Sequence, residues 1–68
     1  MKLLTMTELA RLTRAELAAL YLKIQTDMID MPEGSEEFAI AEANLESIRA
    51  ALARRTLTAI RRYGAPSL

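Results

Sequence analysis

Paired carboxylates one helical turn apart are the residues of this chain best placed for chemistry: Glu33 with Glu37, and Glu42 with Glu46. Such pairs can share a proton or hold a hard cation. A calcium loop draws its ligands in a set order that Asp27, Asp30 and Glu33 do not follow, so the spacing favours a solvated acidic face. Ser35, Ser47 and Ser67 have no histidine to act as their base, because the sequence holds neither His nor Cys. Acid–base or covalent catalysis through those two residue types is therefore excluded. There is no glycine-rich phosphate loop. We expect no catalytic residue, no cofactor and no metal ligand, and hence not an enzyme.

Arginines form the second candidate group. Arg54, Arg55, Arg61 and Arg62, joined in space by Arg11 and Arg14, could contact phosphates, and Leu9 to Ile24 could be read as two helices of a helix-turn-helix. Two features oppose this. Lys and Arg total 9 and so do Asp and Glu, giving zero net charge where a nucleic-acid-binding domain is usually basic. The turn at Leu12-Thr13 is also shorter than that motif requires. Nucleic acid is thus the alternative partner. A protein is the first, with Glu37, Glu42, Glu46 and Tyr21 as candidate contacts.

Charge is strongly segregated along the chain. Residues 27–46 carry Asp27, Asp30, Glu33, Glu36, Glu37, Glu42 and Glu46 and no base, whereas residues 47–68 carry Arg49, Arg54, Arg55, Arg61 and Arg62 and no acid. Acids at a helix start and bases at its end are also what the helix dipole selects.

The elements that must position these groups are helices. Ala and Leu dominate, with few β-branched residues in alternation. Thr5 with Glu8 and Thr13 with Glu16 each form a capping box, flanked by Leu4/Leu9 and Leu12/Leu17 as hydrophobic staples. Two starts predict a short helix over about 6–12 and a longer one over about 14–29, with a single continuous helix as the alternative. Pro32 should stop the second helix near Ile29. Met31-Pro32-Glu33-Gly34 suits a type I turn, with Pro second and Gly fourth. Ser35 then caps a helix over about 36–63, roughly 42 Å long, which Gly64 and Pro66 end. Residues 64–68 should form a loose tail to a single domain spanning 1–68.

Phe38, Ala41, Leu45, Ile48 and Leu52 follow the 3-4-3-4 spacing of a knobs-into-holes seam, and Leu17, Leu20 or Tyr21, Ile24 and Met28 do the same on the preceding helix. These stripes should face one another in a helical hairpin. Leu22, Ile29, Ile40, Leu57 and Ile60 lie off the stripes, and Leu3, Leu4, Met6, Leu9 and Leu12 crowd the N-terminus. Sixty-eight residues without disulfide or metal are near the lower limit for an independent core. The surplus apolar residues predict a homodimeric four-helix bundle, antiparallel because each acidic end would meet the partner's basic end. The alternative is a monomer in which the first helix folds over the hairpin. Asn44 flanks the seam, placed either to cross a dimer axis or to be solvated.

Glu8, Arg11 and Arg14 interrupt any leader-like apolar run, and no run approaches the about 18 residues that cross a bilayer. The expected setting is cytoplasmic, away from the membrane. In helix layout the chain resembles the Rop-like family of two-helix dimers, and in size the small anti-activator and inhibitor proteins of phages and mobile elements. The second resemblance implies a protein that binds and blocks a host regulator through its acidic end, and the first an RNA-binding role through basic faces. No functional residue of either group carries over to a numbered position here. A structural subunit of a larger assembly is the remaining expectation.

Overall fold

The computed structural model describes the backbone of residues 1–62 and the side chains of residues 1–56. Three helices follow one another: α1 (Met6–Ala10), α2 (Arg14–Met28) and α3 (Glu36–Arg62). No strand occurs among the described residues. The break between α1 and α2 is chemically determined. Thr5 and Thr13 each accept a backbone hydrogen bond from the glutamate three residues on, at 3.1 and 3.0 Å. Glu8 and Glu16 accept in return from the threonine amides, at 3.1 and 2.9 Å. Each capping box satisfies donors that the first turn leaves orphaned, and the second box starts a new helix rather than continuing the first. α1 is shorter than its sequence pattern suggests. It stops at Ala10, and the Leu12 amide closes a tighter turn onto the Leu9 carbonyl at 3.1 Å.

The loop between α2 and α3 corrects the expected turn by one residue. The Ser35 amide donates to the Pro32 carbonyl at 3.1 Å, so the turn runs over residues 32–35, not 31–34. Gly34 is its third residue and adopts φ +82°, a conformation that side chains strain against and glycine does not. Ser35 Oγ then accepts from the Phe38 amide at 3.1 Å and caps α3. Tyr63 and the tail at 64–68, with Gly64 and Pro66, lie outside the described residues.

α2 runs antiparallel to α3, and α1 also packs on α3. The fully or nearly fully buried apolar side chains are Leu9, Leu17, Ile24, Ala41, Ile48 and Ala51. Leu4, Leu12, Leu20, Tyr21, Met28, Met31, Leu45 and Leu52 pack around them half-buried. The seam reading therefore holds for its centre. Leu17, Ile24, Ala41 and Ile48 are enclosed, while Leu20, Met28, Phe38, Leu45 and Leu52 keep part of their surface in water. Leu9 belongs to this one core, so within a single chain the N-terminal segment folds over the hairpin, as in the three-helix alternative.

Asn44 departs most from expectation. It neither faces solvent nor is left over for a dimer axis. Its side chain is fully buried, with Oδ1 accepting from the Leu4 amide at 2.8 Å and Nδ2 donating to the Lys2 carbonyl at 2.9 Å. A segment outside helix or sheet leaves its peptide groups without regular partners, and a carboxamide presents an N–H donor beside a carbonyl acceptor as a peptide group does. Asn44 pairs with residues 2–4 as a neighbouring backbone would.

Candidate interaction surface

A helix of 3.6 residues per turn returns to nearly the same azimuth every seven residues, which divides α3 into three lines. Ala41 and Ile48 form the central line facing α2. Asn44 and Ala51 lie to one side, and this side is covered by the N-terminal arm and α1. Phe38, Leu45 and Leu52 lie to the other side and remain half-exposed. α2 divides in the same way. Leu20 borders a cavity shared with Met1, Lys2, Leu4 and Asn44, on the covered side. Tyr21 and Met28 lie on the opposite side of the Leu17–Ile24 line, half-exposed like their α3 counterparts. The hairpin thus has one covered flank and one open flank.

Continuing around α2 from the open flank come Ala18, Ile29 and Leu22. Ile29 is 80% exposed and Leu22 63% exposed, the two most exposed large apolar side chains among the described residues. Single exposed leucines are ordinary on protein surfaces. Here they extend an apolar strip that already includes Tyr21 and Met28, and Gln25 is the polar residue within it. α2 has apolar residues on both its inner and outer faces, whereas a helix with one covered face usually carries polar groups on the other.

On α3 the open flank has a charged rim. The Arg49 guanidinium donates to the Tyr21 hydroxyl at 3.1 Å and lies 3.7 Å from the Glu46 carboxylate. Hydrogen bonding to the Tyr21 hydroxyl, with charge attraction from Tyr21 and Glu46, raises the Arg49 pKa. Glu42 lies one turn before Glu46, on the same exposed side of α3. Tyr21, Glu42 and Glu46 are therefore brought together. Glu37 is not. It lies 3.6 Å from the amino group of Met1, on the covered side of α3, so the four residues do not form one contact surface.

The acids of the loop do gather. Asp27 and Asp30 at the end of α2 and Glu33, Glu36 and Glu37 at the start of α3 occupy one end of the hairpin, with Arg11, Arg14, Arg54 and Arg55 toward the other. The arginines do not form a uniform phosphate-binding comb. Arg55 is half-buried and donates to the Ala10 carbonyl at 3.1 Å, where it stabilises the exposed end of α1. Arg54 and Arg55 also line a cavity of about 190 Å³ with Met6, Leu9, Ala10 and Ala51. The side chains of Arg61 and Arg62 lie outside the described residues. Among the described residues, no group of three or more His, Cys, Asp or Glu could hold a metal ion, and no helix is long and apolar enough to cross a membrane.

Two carboxylates are perturbed, both in caps. Glu8 is held below its ordinary pKa first by its hydrogen bond to Lys2, whose ammonium lies 2.7 Å away, and next by the Thr5 amide. Glu16 is lowered first by the Thr13 amide and then by the Thr13 side chain. Both shifts follow from hydrogen bonds at the helix starts. Comparison with protein-family models, with curated proteins and with solved structures finds no match.

Two features of this surface escaped the sequence. The role of Asn44 had no local signal, because its partners lie some forty residues away in a segment without helical periodicity. The Arg49–Tyr21 pair had one: Arg49 follows Leu45 by one turn on the line next to the seam, within reach of a tyrosine on the facing helix.

Proposed function

We propose that this chain is a non-catalytic protein–protein interaction module that acts by occupying a surface of another protein molecule. The observation that carries the reading is the open flank. Its half-exposed Tyr21, Met28, Phe38, Leu45 and Leu52 continue into exposed Ile29 and Leu22, beside a charged rim of Glu42, Glu46 and Arg49. An apolar centre rich in aromatic and methionine side chains, with charge at the edge, is the composition of a protein-binding patch. The same hairpin closes its opposite flank with its own N-terminal segment, so the open flank is a surface that the chain leaves to another molecule. Enzymatic chemistry draws no comparable support, since the perturbed carboxylates are both structural caps.

Affinity purification with the tagged protein tests the reading when three forms are run side by side: wild type, L22E/I29E and R54E/R55E. The first double variant places charge on exposed positions and leaves folding intact. A protein recovered with wild type and the arginine variant but lost with L22E/I29E is the expected result. Duplex DNA affinity that falls steeply with salt and disappears in R54E/R55E, with no protein lost in L22E/I29E, would move the function to the arginine end.

A further inference from the structure

We infer that the molecule covering the open flank is a second copy of this chain, laid antiparallel about a two-fold axis at the level of Tyr21 and Leu45. The inference rests on reading this flank as a docking face. In a two-fold contact, whatever residue i meets on the partner must meet residue i in return, so the contact pattern must be symmetric about its centre. The α3 line has this symmetry: Phe38 and Leu52 stand seven residues to either side of Leu45. Antiparallel packing centred there sets Leu45 on the partner's Leu45 and Phe38 on the partner's Leu52.

The rim supplies an independent argument. Glu42 precedes Leu45 by three residues and Arg49 follows it by four, so the same axis brings Glu42 beside the partner's Arg49, twice per dimer. Within one chain the two are about 10 Å apart along α3, too far to pair. Arg49 donates to the Tyr21 hydroxyl from one turn beyond Leu45, which places Tyr21 at the level of the axis on α2. A two-fold axis along the helices would instead set the two acidic loop ends side by side. Like charges juxtaposed in this way disfavour that arrangement.

Sedimentation equilibrium on the whole protein at micromolar concentration, with helicity recorded for each variant, tests the assignment. Wild type should sediment at twice the 7.6 kDa of one chain. Glu42→Arg and Arg49→Glu should each weaken the dimer at least tenfold, and the double exchange E42R/R49E should restore affinity to within a few fold. Leu45→Cys, in a chain that has no cysteine of its own, should cross-link to itself under mild oxidation, and Lys23→Cys, exposed on the covered side, should not. A dimer in which the double exchange fails to rescue and Leu45→Cys does not cross-link would overturn the antiparallel register. A monomer that binds the apolar dye anilinonaphthalene sulfonate, with binding abolished by L22E/I29E, would overturn the second copy while leaving the flank a docking face. A monomer that binds no dye would overturn both.

Discussion

The two flanks of the hairpin begin from the same pattern and end differently. Each is a line of side chains bordering the Ala41–Ile48 ridge of α3. On the covered flank, the line contains a fully buried Asn44 that bonds to the Lys2 carbonyl and the Leu4 amide. On the open flank the corresponding positions are Phe38, Leu45 and Leu52, and the nearest polar pair, Arg49 with Tyr21, stays at the edge. What covers each flank explains the difference. An irregular segment brings unpaired peptide groups that must be satisfied where they are buried, so a carboxamide stands in the wall. A second helical surface brings its backbone already paired, and apolar side chains suffice. A buried polar residue on one side and none on the other thus distinguishes a flank closed by irregular chain from one suited to a helical partner.

The largest expected effects fall on the ridge shared by both flanks. Ile48 is fully buried, and Ile48→Ala should destabilise by about 2–5 kcal/mol, a large share of the total for so short a chain. Leu45 sits one step to the open side and is half-exposed in the single chain. Leu45→Ala should therefore cost clearly less in dilute monomer and approach the Ile48→Ala value at concentrations where a partner covers the flank. Denaturant unfolding of both variants across a hundredfold range of protein concentration makes the comparison. Equal losses at every concentration would show that Leu45 is as fully enclosed as Ile48 within the single chain.

Next comes the covered flank itself. Asn44→Ala removes two hydrogen bonds and leaves the Leu4 amide and Lys2 carbonyl without those partners. Each unsatisfied buried group costs about 1–3 kcal/mol unless the arm lifts away to reach water. The arm's other ties are the exposed Met1–Glu37 and Lys2–Glu8 ion pairs and the half-buried Leu4, and its release is expected to limit the total loss to about 2 kcal/mol. Amide exchange separates the outcomes. Leu4 should lose its protection in the variant while the centre of α3 keeps its own. A protected Leu4 amide would show that the carboxamide is not what holds the arm.

The helices and their starts were legible in the sequence because capping is local. Thr5 to Glu8, Thr13 to Glu16 and Ser35 to Phe38 each span three residues, and both capping boxes formed as their spacing predicts. The centre of the core was legible for a related reason, since Leu17, Ile24, Ala41 and Ile48 need only the helical period to be found. What stayed hidden depends on long-range placement. Nothing near Asn44 announces residues 2–4 as its partners, and Glu37 shares its charge and helix with Glu42 and Glu46 but points to the other flank. The loop was off by one residue because Gly34 suits both the third and fourth places of a turn, and only its positive φ decides between them.

A smaller effect tests whether the covered flank depends on the cap that starts α2. Thr13→Ala removes the oxygen that accepts from the Glu16 amide at 3.0 Å, and cap losses of this kind average about 1 kcal/mol. Thr5→Ala should cost less by global unfolding, because α1 has only five residues and can fray without opening the hairpin. If the Thr5 variant proves the more destabilising, α1 and the arm contribute more to the core than the hairpin's own ends do.

The smallest expected effect is the dependence of stability on pH. Glu8 and Glu16 have folded-state pKa values below their ordinary ones, held there by Lys2 and the Thr5 amide in one case and by Thr13 in the other. Around and below the ordinary glutamate value the unfolded chain therefore binds more protons than the folded one, and stability rises with pH through that window. The contribution is complete above the unfolded pKa and is lost as pH falls through the folded one. Both groups are exposed at the surface, so solvent and salt screen the effect and its size should be slight. The two caps stand at different places: Glu8 starts α1 on the covered flank, and Glu16 starts α2. Replacing each by Gln keeps an acceptor for the threonine amide and removes the titration. Comparing thermal melts of wild type, Glu8→Gln and Glu16→Gln between pH 3 and pH 6 should show the wild-type slope reduced in each variant. An undiminished slope in both would show that the two capping carboxylates do not set the acid sensitivity.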